Sequence, residues 1–211
     1  MNNSKTYKSI DLTTNCPKRR EGNPCSYCYV EAAREHGFRA KQVHDRLEYN
    51  GEISRMRNST IERLNNCGGL RVFSFGDYMP WMDEDLNRII EDARGRNLSL
   101  KAITKVPEFV YKFHEHFAVI HISVDTIGNG IDISTARELR SQYDNVLVRS
   151  VILEEDDLDE LDWTDIITLN HGNNGYNRFT DEDFDRLSKD YGDKLCCITG
   201  NCETCEVNCG V

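Results

Sequence analysis

The chain has 211 residues, enough for one domain with a substantial core. Its 38% of hydrophobic residues come in short runs. None approaches the roughly 20 apolar residues that span a bilayer, and the polar start lacks an export signal, so no membrane partner and a cytoplasmic location are expected. A net charge of −10 excludes a surface given over to binding polyanions.

That charge is uneven. Residues 1–60 carry 11 Lys+Arg against 7 Asp+Glu, and the remainder carries 15 against 29. Lys18, Arg19 and Arg20 therefore form a local basic loop, either simply solvated or able to receive a phosphate or carboxylate.

In chain order the pattern starts with a strand at Tyr7–Leu12, followed by helices at Glu31–Arg46 and Ile53–Asn65. A strand at Leu70–Phe75 and a helix at Met82–Arg94 come next, then a strand at Leu98–Thr104 and a helix at Pro107–His116. The strand Ala118–Val124 leads to the helix Ile133–Tyr143, and the strands Val146–Leu153 and Ile166–Leu169 lead to the helix Glu182–Tyr191. Several strands are continuously apolar, as parallel strands under helices are. Pro107 suits a first helical turn. Asp83, Glu84 and Asp85, and the acidic run after Thr180, put negative charge at helix starts.

This alternation predicts an α/β fold, and six strands point to a partial (β/α)6 barrel over residues 1–194. A doubly wound open sheet is the second choice. Residues 195–211 show no helical or strand period and read as a cysteine-rich, metal-binding tail.

Parallel α/β folds gather their chemistry at the carboxyl ends of the strands. Polar groups recur there: the loop starting at Cys16, Gly76 with Asp77, Lys105, Asp125 just beyond Ser123, and Asn170 with His171. Alternation puts His121 on one face with Ser123 and Asp125. His121 is either a satisfied core residue or a ligand. Arg149 is either a carboxylate clamp or turned to the helix layer and paired there.

The chain holds nine cysteines, which in a reducing cytosol point to metal rather than disulfides. Cys16-x8-Cys25-x2-Cys28 offers three thiolates, which can hold three irons of a cubane cluster and leave the fourth open. A structural zinc, completed by His36 or His44, is the alternative. Cys197-x4-Cys202-x2-Cys205-x3-Cys209 offers four more, with Cys196 able to replace Cys197. A second 4Fe–4S cluster and zinc both suit that spacing. Cys67 reads as a small buried hydrophobe.

Cys25-Ser26-Tyr27-Cys28 resembles the end of the radical S-adenosylmethionine signature, with Tyr27 as the aromatic before the last cysteine. The eight-residue gap between the first two cysteines is longer than the usual three. Ser74-Phe75-Gly76-Asp77 is similar to that superfamily's Gly-Gly-Glu-like turn. Ala102-Ile103-Thr104-Lys105 resembles the third strand of the spore photoproduct lyase-like branch and of small phage-encoded members. The fourth strand, with Ser123 and Asp125, is also similar, and the resemblance covers about residues 7–170.

It implies a 4Fe–4S cluster on Cys16, Cys25 and Cys28, with S-adenosylmethionine on its open iron. Tyr27, Ser74, Gly76, Asp77, Lys105, Ser123, Asp125, Arg149 and Asn170 would form the cofactor side, Asp77 taking the methionine ammonium and Lys105 its carboxylate. By the same resemblance, cysteine-rich tails carry auxiliary clusters. The implied enzyme draws electrons from an external one-electron reductant and abstracts hydrogen from a substrate. The basic loop favours a nucleotide or nucleic acid as that substrate, and the tail leaves a peptide open. The rival reading is a non-enzymatic, zinc-stapled domain that binds nucleic acid or protein.

Overall fold

The computed structural model describes residues 7–10, 69–73, 76–169 and 179–196. The expected helices Glu31–Arg46 and Ile53–Asn65 lie outside these residues. Seven strands form one sheet: β1 (Tyr7–Ile10), β2 (Gly69–Val72), β3 (Ser99–Thr104), β4 (Val119–Val124), β5 (Val146–Ile152), β6 (Ile166–Leu169) and β7 (Leu195–Cys196). All neighbours are parallel, and spatial order follows chain order from β1 to β7.

That order decides the architecture. A doubly wound sheet reverses its strand order at a switch point, and no reversal occurs here. Successive right-handed crossovers in one direction keep their helices on one side of the sheet. The result is a half-barrel of six principal parallel strands, extended by the short β7.

The tail expected from residue 195 therefore begins inside the sheet. Leu195 and Cys196 pair with Ile167 and Thr168, and the Ile167 N–H donates to the Lys194 carbonyl at 2.9 Å. Two residues are too few to show a period of two, so the ladder supplied by β6 is what makes them a strand.

The helices are α1 (Asp83–Gly95), α2 (Pro107–Phe113), α3 (Ile133–Gln142), α4 (Asp157–Leu161) and α5 (Asp181–Tyr191). One-turn 3-10 segments at Pro80–Met82 and His114–His116 flank α1 and α2. Helix α1 stops where Asn97 turns left-handed at φ 55°, and Leu98 N–H closes the end on the Ala93 carbonyl at 2.9 Å. Asp132 caps α3 by accepting from Thr135 N–H. Thr180 and Asp183 form a reciprocal capping box on α5. The five-residue α4 was not foreseen, being too short to carry a helical period.

Alternation divides the strands into two faces. Leu70, Val72, Leu100, Ala102, Ile120, Ile122, Val146, Val148 and Ile167 are buried in the core with the helices. Phe109 of α2 is its aromatic hub, with Phe73, Phe117 and Phe113 rings 5.0, 5.1 and 5.5 Å away. Burying one such ring stabilises the fold by about 1.5–3 kcal/mol. The opposite face, inside the half-barrel, carries the partly exposed Arg71, Lys101, Ile103, Leu147, Arg149, Val151 and Thr168. Strand β4 is buried on both faces.

Candidate functional site

At the carboxyl end of β2 the backbone does something rare. Phe73 has φ 62°, a left-handed conformation that a bulky residue adopts only under constraint. Burial of its ring, edge-on against Phe109, holds it there. Asp77 follows and is buried. Its Oδ1 accepts from Tyr78 N–H at 2.7 Å and from the Thr104 hydroxyl, and its Oδ2 accepts from Lys105 N–H at 2.7 Å. The carboxylate thereby ties the end of β2 to the end of β3. Burial raises its pKa above the usual aspartate value, opposed by Thr104, the two amides and the Lys105 charge. Asp77 is thus a positioning residue, with three donors already on its oxygens.

The end of β4 is pinned differently. Ile131 N–H donates to the Ser123 carbonyl at 2.7 Å, and Asn129 N–H donates to Asp125 Oδ1 at 2.8 Å. Between them, Gly130 passes so close that a Cβ would lie 2.6 Å from the Ser123 carbonyl oxygen. Only glycine allows that approach. Ser123 and Asp125 are both buried. The Thr126 hydroxyl donates to Asp157 Oδ1 at 2.7 Å, and Asp157 Oδ2 accepts from the N–H groups of Leu153 and Glu154. The turns after β4 and β5 are therefore cross-linked through the start of α4.

Below this rim lies the inner face. Arg149, in register with Ser123, donates from Nε to Thr168 Oγ1 at 2.7 Å and from Nη2 to Cys196 Sγ at 3.7 Å. It faces the barrel interior, so the alternative of a helix-layer pairing is overturned. Strand parity decides this, because Val148 and Ser150 occupy the helix side. His121 pairs in register with Ile103 and Leu147 on the same face and is 0% exposed. Neither ring nitrogen has a hydrogen-bond partner among the described residues. Burial, then the charges of Arg149, Lys101 and Arg71, lowers its pKa to about 3. It is a neutral imidazole at physiological pH, buried as a core histidine would be but without a partner among the described residues.

The structure thus brings Gly76, Asp77, Lys105, Ser123 and Asp125 to one edge, with Arg149 beneath them. Tyr27, Ser74, Asn170, His171 and the cysteines Cys16, Cys25, Cys28, Cys197, Cys202, Cys205 and Cys209 lie outside the described residues. Among the described residues, no three His, Cys, Asp or Glu side chains gather as a metal would need, and no helix is long and apolar enough to cross a membrane. Thr104, Phe73 and Gly130 were missed from sequence. Only Gly130, in Gly128-Asn129-Gly130, carried a visible turn signal. No protein-family model matches the chain, and no curated protein matches it.

Proposed function

We propose that this chain is a radical S-adenosylmethionine enzyme that holds a 4Fe–4S cluster on Cys16, Cys25 and Cys28. One observation carries the reading. Strand β1 runs parallel to β2, so the chain leaves Ile10 at the same edge where Asp77, Lys105 and Asp125 converge. The residues between Ile10 and Cys16 reach at most about 20 Å even when extended. Strand β7 ends on that edge too, and Cys197 is the next residue after Cys196. The strands that precede both cysteine groups end at one edge of the half-barrel, where such folds keep their chemistry.

The cluster and S-adenosylmethionine, when bound on Cys16, Cys25 and Cys28, would supply one-electron cleavage of the sulfonium, fed by an external reductant, and hydrogen abstraction from the substrate. The chain supplies orientation. Asp77 fixes the ends of β2 and β3, Lys105 answers the methionine carboxylate, and Ser123 and Asp125 face the cofactor's polar part. Tyr27, Ser74, Gly76 and Asn170 complete the set by resemblance. Because the carboxylate of Asp77 is occupied, backbone carbonyls of the adjoining turn take the larger share of the methionine ammonium. Cys197, Cys202, Cys205 and Cys209 hold a second 4Fe–4S cluster in this reading, with zinc as the competing occupant.

Anaerobically purified protein should be brown and carry about four irons per chain for one cluster, or about eight for two. A colourless protein holding zinc alone would return the chain to the zinc-stapled class. Cys28→Ala should abolish reductive cleavage of S-adenosylmethionine, and cleavage that survives it would remove the cluster assignment.

A further inference from the structure

We propose that the inner face of the half-barrel, at Arg149 and His121, binds a phosphate or carboxylate group carried by the substrate. The inference rests on reading that face as the substrate side of the radical site.

Arg149 lies three residues before the end of β5 at Ile152, about 10 Å below the rim at 3.3 Å per residue. A group seated there is separate from one held by Lys105 at the rim. Of the five guanidinium N–H donors, the Nε–H goes to Thr168 and an Nη2–H to the Cys196 sulfur. These two bonds use the Nε and Nη2 side of the fork, and Nη1 has no partner among the described residues. No carboxylate pairs with Arg149 among the described residues, although the half-buried Arg140 and the exposed Arg186 have them. A half-buried guanidinium without a counter-charge is the arrangement that a bidentate anion completes.

His121 is the independent second observation. A fully buried imidazole with both nitrogens unpartnered loses about 1–3 kcal/mol per missing bond. The ring is fully covered in this structure, so an anion on Arg149 reaches its nitrogens only by displacing the atoms over it. Arg149, Lys101 and Arg71 all act on it electrostatically, so the local field is positive where the overall chain is acidic. Arg71 and Lys101 have partners of their own and extend that field rather than define the seat. The resulting ligand is a small molecule with a phosphate or carboxylate arm, not a long polyanion.

Full-length protein, with its iron content recorded, is titrated with pyrophosphate and with citrate by calorimetry. Saturable binding is expected, weakened about tenfold by Arg149→Gln and by a smaller factor in Arg149→Lys, which keeps the charge and loses the fork. His121→Asn should also weaken it. Lys189→Gln removes an equal charge from the exposed side of α5 and should change nothing. If Arg149→Gln does not fold, Arg149→Lys carries the test. Equal losses in the Lys189 and Arg149 variants, or no saturable binding of either probe, overturn the inference. So does an Arg149 variant that loses S-adenosylmethionine and keeps pyrophosphate, since Arg149 would then serve the cofactor. A brown protein that cleaves S-adenosylmethionine yet ignores both probes refutes this inference alone. A colourless one that binds pyrophosphate through Arg149 supports the anion seat and refutes only the radical reading.

Discussion

Ser150 and His121 sit on adjacent strands, on opposite faces of the sheet, and both are fully buried. The Ser150 hydroxyl donates to the Ile166 carbonyl and accepts from Thr164 at 3.0 Å. His121 has no such partner among the described residues. On the helix side, the buried hydroxyls of Ser150, Thr164 and Thr104 are satisfied by the chain's own atoms. On the barrel side an imidazole and part of a guanidinium are left for something else. An unpartnered buried polar group is destabilising, and His121 carries two such atoms where Trp163, packed on the helix side, carries one.

The comparison can be broken first on the helix side. Phe109→Ala removes the ring that four other aromatics contact and should cost about 3–5 kcal/mol of unfolding free energy, read by urea denaturation. Next comes the clasp between the two strand ends. Asp77→Ala strands buried donors of Tyr78, Thr104 and Lys105 and should cost about 2–3 kcal/mol, while Asp77→Asn, which keeps Oδ1, should cost about 1. Equal losses in the two variants would show that the charge or the Oδ2 acceptor of Lys105 N–H, rather than Oδ1, carries the clasp.

The barrel side should respond to acid instead. The folded pKa of His121 is about 3 against about 6.5 in the unfolded chain. Between those values the unfolded state binds more protons, so stability rises with pH and is lost as pH falls from 6.5 toward 3. The slope approaches 1.4 kcal/mol per unit, as an order of magnitude. The difference between wild type and His121→Leu, followed by melts across that window, should isolate it. The smallest effect should come from Arg149→Gln, a loss within about 1 kcal/mol because Thr168 retains a donor. A larger loss would make Arg149 a structural brace and weaken the contrast between the faces.

Much of the scaffold was legible because its strands are continuous apolar runs and its helices carry their own signals. The Thr180 capping box and Pro107 fall where the sequence put helix starts. Strand β7 and helix α4 escaped because two and five residues cannot show a period. The site was legible as residue types at strand ends, but not as partners. Nothing near Asp77 in the sequence points to the Thr104 hydroxyl, since the contact depends on the β2–β3 register. Arg149 remained ambiguous because β5 is apolar on both sides of it, so only the sheet could say which way it faces.

Gly130 carries a consequence of its own. The loop that touches down on the end of β4 does so through a missing methyl group, with backbone atoms where a side chain would begin. Adding one carbon there changes no charge and removes no donor. It would nevertheless lift the segment from which Asn129 N–H reaches Asp125, loosening a carboxylate several bonds away. A change from glycine to a larger residue should therefore disturb the rim from a position that bears no chemistry of its own.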